Sequence, residues 1–179
     1  MEWEIIFMKR ANEWWSSDLL DYLLPWLTYI GSHFTVILLI LLSFLVARQR
    51  PFSRHLLLLY GIQSAVVYSL KFLIQRERPL FILEMGDKIS KGPGEILDPS
   101  FPSAHAAYSL MMATFLSAWF PRLRISFYLF AVLIAWSRIY LGLHFPSDVL
   151  AGALLGYGIT KGYLRFLGNG NKEGGFRRG

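Results

Sequence analysis

Apolar residues fill most of the chain in blocks separated by short polar and basic stretches, and this pattern predicts an all-α protein built as an integral membrane helical bundle. At the start, Trp3, Ile6, Phe7 and Trp14 fall near one helical face while Glu2, Glu4, Lys9 and Glu13 lie mostly elsewhere. That is the pattern of a helix lying in the membrane interface, which anchors without spanning. Residues 19–47 are apolar for longer than one span needs, interrupted by Asp21, Pro25 and the Gly31-Ser32-His33 step. Because about 20 apolar residues cross a bilayer, residues 1–30 are expected to form a bent interfacial approach and residues 33–47 the first span. Residues 56–74, 103–120, 125–136 and 147–166 supply four more, giving about five transmembrane helices plus an N-terminal interfacial amphipathic helix. In the last of these, Gly152 and Gly156, then Gly158 and Gly162, repeat at four-residue spacing. Both pairs are expected to let neighbouring helices approach closely. Residues 80–102 form a connection rich in glycine, proline and charge, long enough to imply a job such as covering a site. The glycine-rich charged tail, 168–179, is expected to be flexible.

Composition agrees with the pattern: 54% of the 179 residues are hydrophobic and 17% are charged, more apolar than an average soluble domain. There is no cysteine, which excludes a disulfide framework or a thiolate metal site. Residues 1–17 lack the basic start, apolar run and small-residue cleavage site of a secretory signal. The net charge of +6 is a topology signal and not a nucleic-acid footprint, since the basic residues flank membrane segments. With five spans, Arg48, Arg50, Arg54, Arg122, Arg124, Lys161, Arg165, Lys172, Arg177 and Arg178 share one membrane face, opposed only by Glu173. The positive-inside rule makes that face, and the C-terminus, cytoplasmic.

The opposite face collects the residues that carry chemistry. Lys71 with Arg78-Pro79, Pro102-Ser103-Ala104-His105, and Ser137-Arg138 with His144 and Asp148 all lie at its span ends. Each cluster alone has an ordinary explanation. Lys71 can snorkel, Arg78 can meet lipid headgroups, Ser103 can cap a helix, and His144 can be a satisfied buried histidine. Together they place three cations, two histidines and a carboxylate at one outward-facing site, where ionised groups are costly unless they serve a purpose. Lys71, Arg78 and Arg138 could neutralise a phosphate dianion, the arginines through forked hydrogen bonds. Ser103 and the amides around Ala104, at the start of the third span, would add the donors that helix N-termini offer anions. Asp148 lies four residues after His144, with Pro146 placed to open a helix, so its carboxylate could orient the imidazole for attack on phosphorus. Arg76 and Glu77 read as a surface pair, with Arg76 available to assist a second phosphate; His33 and His55 receive no role. The signature segments hold no close carboxylate cluster, so neither a metal nor another cofactor is expected.

These three clusters resemble the signature of the type 2 phosphatidic acid phosphatase family: lysine, six residues, arginine-proline; proline-serine-glycine-histidine; serine-arginine, five residues, histidine, three residues, aspartate. The first and third match at every defined position, while Ala104 stands where the family has glycine. Alanine keeps the backbone N–H but disfavours positive φ, so the substitution is mild only if the backbone there is helical. The resemblance implies a single membrane phosphatase domain over residues 1–167, a phosphohistidine at His144, and His105 protonating the leaving oxygen before activating water. It implies a lipid phosphomonoester or diphosphate as substrate and an active site facing the periplasm or exterior of a bacterial-type inner membrane. Lipid A 1-phosphatases are the first candidate, with undecaprenyl diphosphate and phosphatidylglycerophosphate phosphatases as near rivals. Phosphotransfer to another lipid and a non-catalytic lipid or anion transporter are the alternatives. The bilayer and the lipid phosphate are the expected partners; nucleic acid is not.

Overall fold

The computed structural model describes residues 2–46, 50–79 and 98–170. Among them it contains seven α-helices and a 3-10 turn, and no strand. The helices are α1 (Glu2–Trp15), α2 (Asp18–Tyr29), α3 (His33–Leu45), α4 (Arg50–Ile74), α5 (Ala104–Trp119), α6 (Arg124–Tyr140) and α7 (Pro146–Gly170), with the turn at Pro121–Leu123. Residues 80–97, most of the long connection, lie outside the described residues, as does the tail beyond Gly170. The segment expected to be tail begins as helix, since α7 continues through 168–170.

The helices α4 over Pro51–Ile74 and α6 with its preceding turn over Pro121–Tyr140 are long and apolar enough to cross a membrane. A bend falls at the expected Gly31-Ser32 step: α2 and α3 meet at 47° and make a third candidate if they are one span. By length and composition, then, two or three of the five expected spans qualify among the described residues. The shortfall has a physical source. Helix α5 has 16 residues and α7 carries Asp148, Lys161, Arg165 and several glycines.

Helix α5 is the hub. It is buried from Ala104 to Met111 and again over 113–115, a helix enclosed all round by protein. Its small residues explain the crowding. An added Cβ at Gly152 of α7 would lie 2.3 Å from the Ser103 carbonyl oxygen, and one at Gly156 would lie 2.1 Å from that of Ala107, so only glycine permits this contact. Gly158 and Gly162 do not belong to the seam: nothing lies within 4 Å of an added Cβ at either, because both fall on the exposed side of α7. On the other flank Val36 and Ile40 of α3, Phe52, Leu56, Leu59 and Val67 of α4, and Tyr108, Met111 and Phe115 of α5 form one apolar cluster. The outer surface is apolar as well: Phe34, Leu45, Phe72, Ile125, Leu129, Leu154 and Phe166 are all exposed, a surface suited to hydrocarbon.

Candidate active site

The ends of α4 and α6, with the backbone that follows each, assemble the site. Helix α4 carries Lys71 in its last turn. Gln75 then adopts φ 46, a left-handed residue at which the helix ends and 76–79 begin. Helix α6 runs through Arg138 to Tyr140, further than the expected 136, so Arg138 lies in a helix and not in a loop. Gly142 at φ 66 closes α6 with two bonds, from Gly142 N–H to the Ile139 carbonyl at 3.0 Å and from Leu143 N–H to the Arg138 carbonyl at 3.1 Å. This is the Schellman arrangement, which favours glycine at that position. His144 follows at once, its N–H also directed to the Arg138 carbonyl at 3.2 Å. Pro146 opens α7 as expected, and Asp148 reaches back to the Phe145 N–H at 2.9 Å, the helix-capping half of its role.

Lys71, Arg78, Arg138, His144 and Asp148 are each no more than 3% exposed, so five ionisable side chains from distant segments are buried together. Asp98 bridges the first two. One of its oxygens lies 2.9 Å from Lys71 Nζ and the other accepts from Arg78 Nη2. Arg78 also donates from Nε to the Asp98 carbonyl at 2.9 Å and from Nη1 to the Leu143 carbonyl at 3.1 Å. The same Nη1 is 3.5 Å from His144 Nε2. Arg138 donates to Thr28 Oγ1 at 3.0 Å. Ser103 caps α5, accepting from the Ala106 N–H, while its own N–H is taken by the Asp148 carbonyl at 3.0 Å. Ala104 is the first residue of α5 and among the described non-glycine residues only Gln75 has positive φ, so alanine fits this position without strain.

The carboxylate does not orient the imidazole directly. Asp148 Oδ2 is 3.8 Å from His144 Nδ1, too far for a hydrogen bond. Ser100 stands between them, with Oγ 2.5 Å from Asp148 Oδ2 and 3.4 Å from His144 Nδ1. A hydroxyl has one proton to give; given to the carboxylate, it leaves the oxygen to accept from Nδ1–H. The tautomer that results keeps a lone pair on Nε2, the nitrogen that faces Arg78. Burial, reinforced by Arg78, Arg138, Lys71 and His105, holds the His144 pKa well below the ordinary histidine value, so the ring is neutral near pH 7. The Ser103 N–H bond to the Asp148 carbonyl holds the start of α5, which carries His105, against the first turn of α7, and the Arg138 backbone is hydrogen-bonded to that of His144.

Arg76 departs from expectation. It pairs not with Glu77 but with Asp148 Oδ1 at 2.6 Å and Glu4 Oε2 at 2.7 Å, two carboxylates that already satisfy its charge. Burial alone would raise the Glu4 pKa, but hydrogen bonds from Ser147 and Arg76 outweigh it and hold the carboxyl below its ordinary value. A pocket of about 420 Å³ opens beside this pair, lined by Glu4, Ile74, Arg76, Phe101 and Ser147. Ser100, Asp98 and Glu4 were not flagged by the sequence. Only Ser100, three residues before Ser103 in the same polar stretch, had a nearby signal. Of the two unassigned histidines, His33 bonds Tyr60 and Tyr68 at 2.7 Å each and His55 bonds Tyr163 at 2.8 Å. Among the described residues no group of three or more His, Asp or Glu side chains is arranged to hold a metal.

The sequence and the fold have counterparts among known proteins. A stretch of 58 residues is 45% identical to the lipid A 4'-phosphatase of Bacteroides thetaiotaomicron, covering 31% of this chain and 26% of that protein, so the chain spans well under two-thirds of that relative. Over its length the fold is similar to the crystal structure of Aquifex aeolicus LpxE, with a TM-score of 0.75 at 29% identity, covering 89% of this chain and 93% of the other. It is also similar to the transmembrane PAP2 type phosphatidylglycerolphosphate phosphatase of Bacillus subtilis, with a TM-score of 0.77 at 25% identity, covering 98% and 88%. The family model for the PAP2 superfamily matches residues 52–172, from the start of α4 past the end of α7, and the chain belongs to that superfamily.

Proposed function

We propose that the protein is a membrane lipid phosphate phosphatase that hydrolyses a phosphomonoester or diphosphate through a phosphohistidine on His144. One observation carries this reading: a single carboxylate, that of Asp98, is held by Lys71 and Arg78 together, while the same arginine lies 3.5 Å from His144 Nε2. An oxyanion clamp beside an unprotonated imidazole nitrogen is what in-line attack on phosphorus requires. A phosphoryl group entering there displaces Asp98, and its charge is balanced by Lys71, Arg78 and Arg138. Nε2 forms the N–P bond as the P–O bond to the lipid breaks. His105 delivers the proton to the leaving oxygen. Asp148, through Ser100, stabilises the imidazolium character that develops at Nδ1. Water, deprotonated by His105, then attacks phosphorus, breaking the N–P bond and releasing inorganic phosphate.

The relatives' names and the apolar outer surface support a lipid-linked phosphate, with lipid A the first candidate and phosphatidylglycerophosphate and undecaprenyl diphosphate next. In this reading residues 1–167 form one unit of five spans with α1 in the interface. Lys71, Arg78, His105, Arg138, His144 and Asp148 face the periplasm or exterior, and the basic ends and C-terminus face the cytoplasm. The test is a phosphate-release panel across these lipids, without an added acceptor and with and without chelator. The proposal expects release from at least one lipid, insensitive to chelator and abolished in His144→Ala. Full release by His144→Ala, or no release from any of these lipids without an acceptor, contradicts it.

A further inference from the structure

One acidic residue on the interfacial helix reaches into the site. Glu4 is 4% exposed, whereas Trp3, Ile6, Phe7 and Trp14 of the same helix are 60%, 53%, 41% and 75% exposed. Its Oε1 accepts the Ser147 N–H at 3.1 Å and the Ser147 hydroxyl at 2.6 Å, and its Oε2 accepts Arg76 Nη2 at 2.7 Å. Arg76 Nη1 continues to Ser147 Oγ at 2.7 Å and Asp148 Oδ1 at 2.6 Å, and its guanidinium lies 4.1 Å from the centre of the Phe145 ring. Phe145, Ser147 and Asp148 are the cap and first turn of α7, immediately after His144. A carboxylate from one helix therefore caps the N-terminus of another, a favourable placement for negative charge.

Asp148 is thereby held from both sides. Oδ2 takes Ser100 Oγ and the Phe145 N–H, while Oδ1 takes Arg76. The planar fork of arginine can serve two carboxylates at once, and a lysine cannot reproduce that geometry. We infer that Glu4 and Arg76 are positioning residues for the proposed hydrolysis: Glu4 fixes Arg76 and the first turn of α7, Arg76 fixes Asp148, and docking of α1 thereby completes the site. The inference rests on the proposed role of His144, and it replaces the expectation that Arg76 contacts a second phosphate.

The experiment compares full-length wild type, Glu4→Gln, Arg76→Gln, Arg76→Lys, the double variant Glu4→Gln/Arg76→Gln, and His144→Ala in detergent. It measures kcat and KM for dioctanoyl phosphatidic acid, with thermal unfolding as a check on folding. Displacing a catalytic group by a fraction of an ångström to 1 Å costs roughly 10- to 100-fold. That loss is expected in kcat for Glu4→Gln and Arg76→Gln, with Arg76→Lys intermediate, KM within about threefold on the same scale, and unfolding midpoints near wild type. The double variant should be no worse than Arg76→Gln alone, because one residue acts largely through the other. Unchanged kcat with a raised KM would make Arg76 a substrate ligand and overturn the inference; so would full additivity in the double variant. If the glutamine variants do not fold, the kcat and KM of Arg76→Lys, which keeps charge and bulk, decide by the same split. An inactive His144→Ala alongside Glu4 and Arg76 variants with wild-type kcat sinks only this inference, whereas an active His144→Ala sinks the reading of the site itself.

Discussion

Substituting Gly152 by alanine should damage turnover more than stability, and the structure says why. An added Cβ would lie 2.3 Å from the Ser103 carbonyl oxygen, 3.2 Å from its carbonyl carbon and 3.3 Å from Ala106 Cβ. A carbon and a carbonyl oxygen rest at about 3.3 Å or more, so α7 must retreat from α5 by about 1 Å. The obstacle is backbone and cannot swing aside. Asp148 lies one turn before Gly152 on the same helix face, and its carbonyl takes the Ser103 N–H at 3.0 Å. The retreat therefore pulls the Asp148 carboxylate away from Ser100 and the imidazole. A displacement of that size costs roughly 100-fold in rate, while overpacking costs about 1–3 kcal/mol of stability. Gly158→Ala and Gly162→Ala are the controls. With open space around both, they should keep wild-type kcat and gain up to about 1 kcal/mol from helix propensity. Phosphate release and thermal unfolding of the three purified variants check this. Wild-type kcat in a folded Gly152→Ala protein would refute the coupling of the seam to the site.

Three further outcomes are expected. Ser100→Ala should lower kcat about tenfold, or about 1.4 kcal/mol, and Asp148→Asn should lower it about 10²- to 10⁴-fold, because in the proposed mechanism the relay passes through the serine to the carboxylate; equal activity of Ser100→Ala and wild type would remove the serine from the relay. Asp98→Asn should lower KM for a lipid phosphomonoester several-fold, up to about tenfold, since the substrate no longer competes with a resident carboxylate for Lys71 and Arg78; an unchanged or raised KM counts against that competition. The acid limb of kcat/KM, after the substrate's own ionisation near pH 6 is divided out, should lie below the ordinary histidine value of about 6.5. The sign follows from burial and the surrounding cations, which lower the His144 pKa, so the ring stays unprotonated as the pH falls through that value; a limb above it would contradict a neutral buried nucleophile.

The signature positions were legible because their chemistry is improbable where it occurs: Lys71, Arg78, His144 and Asp148 stand at the ends of apolar segments and lie together in the structure. The bend before His33 was legible from Gly31 and Ser32. Other features were not, for reasons specific to a chain in hydrocarbon. Lipid tails are as apolar as leucine, so both faces of a helix such as α7 can look alike, and spacing alone could not tell the packed Gly152 and Gly156 from the exposed Gly158 and Gly162. Ser100, Asp98 and Glu4 are held by contacts between distant segments, such as Ser147 to Glu4 across 143 positions, and local pattern does not encode such pairings. Arg76 was seen as one of a run of charges; its partner was chosen by the fold and not by adjacency to Glu77.

The most direct test of the central claim is to trap the enzyme during turnover of a labelled lipid phosphate and map the label. The account predicts an acid-labile, alkali-stable phosphoryl group on His144, accumulating in His105→Ala and absent from His144→Ala. Label on another residue, or turnover in His144→Ala with no covalent intermediate, would contradict it.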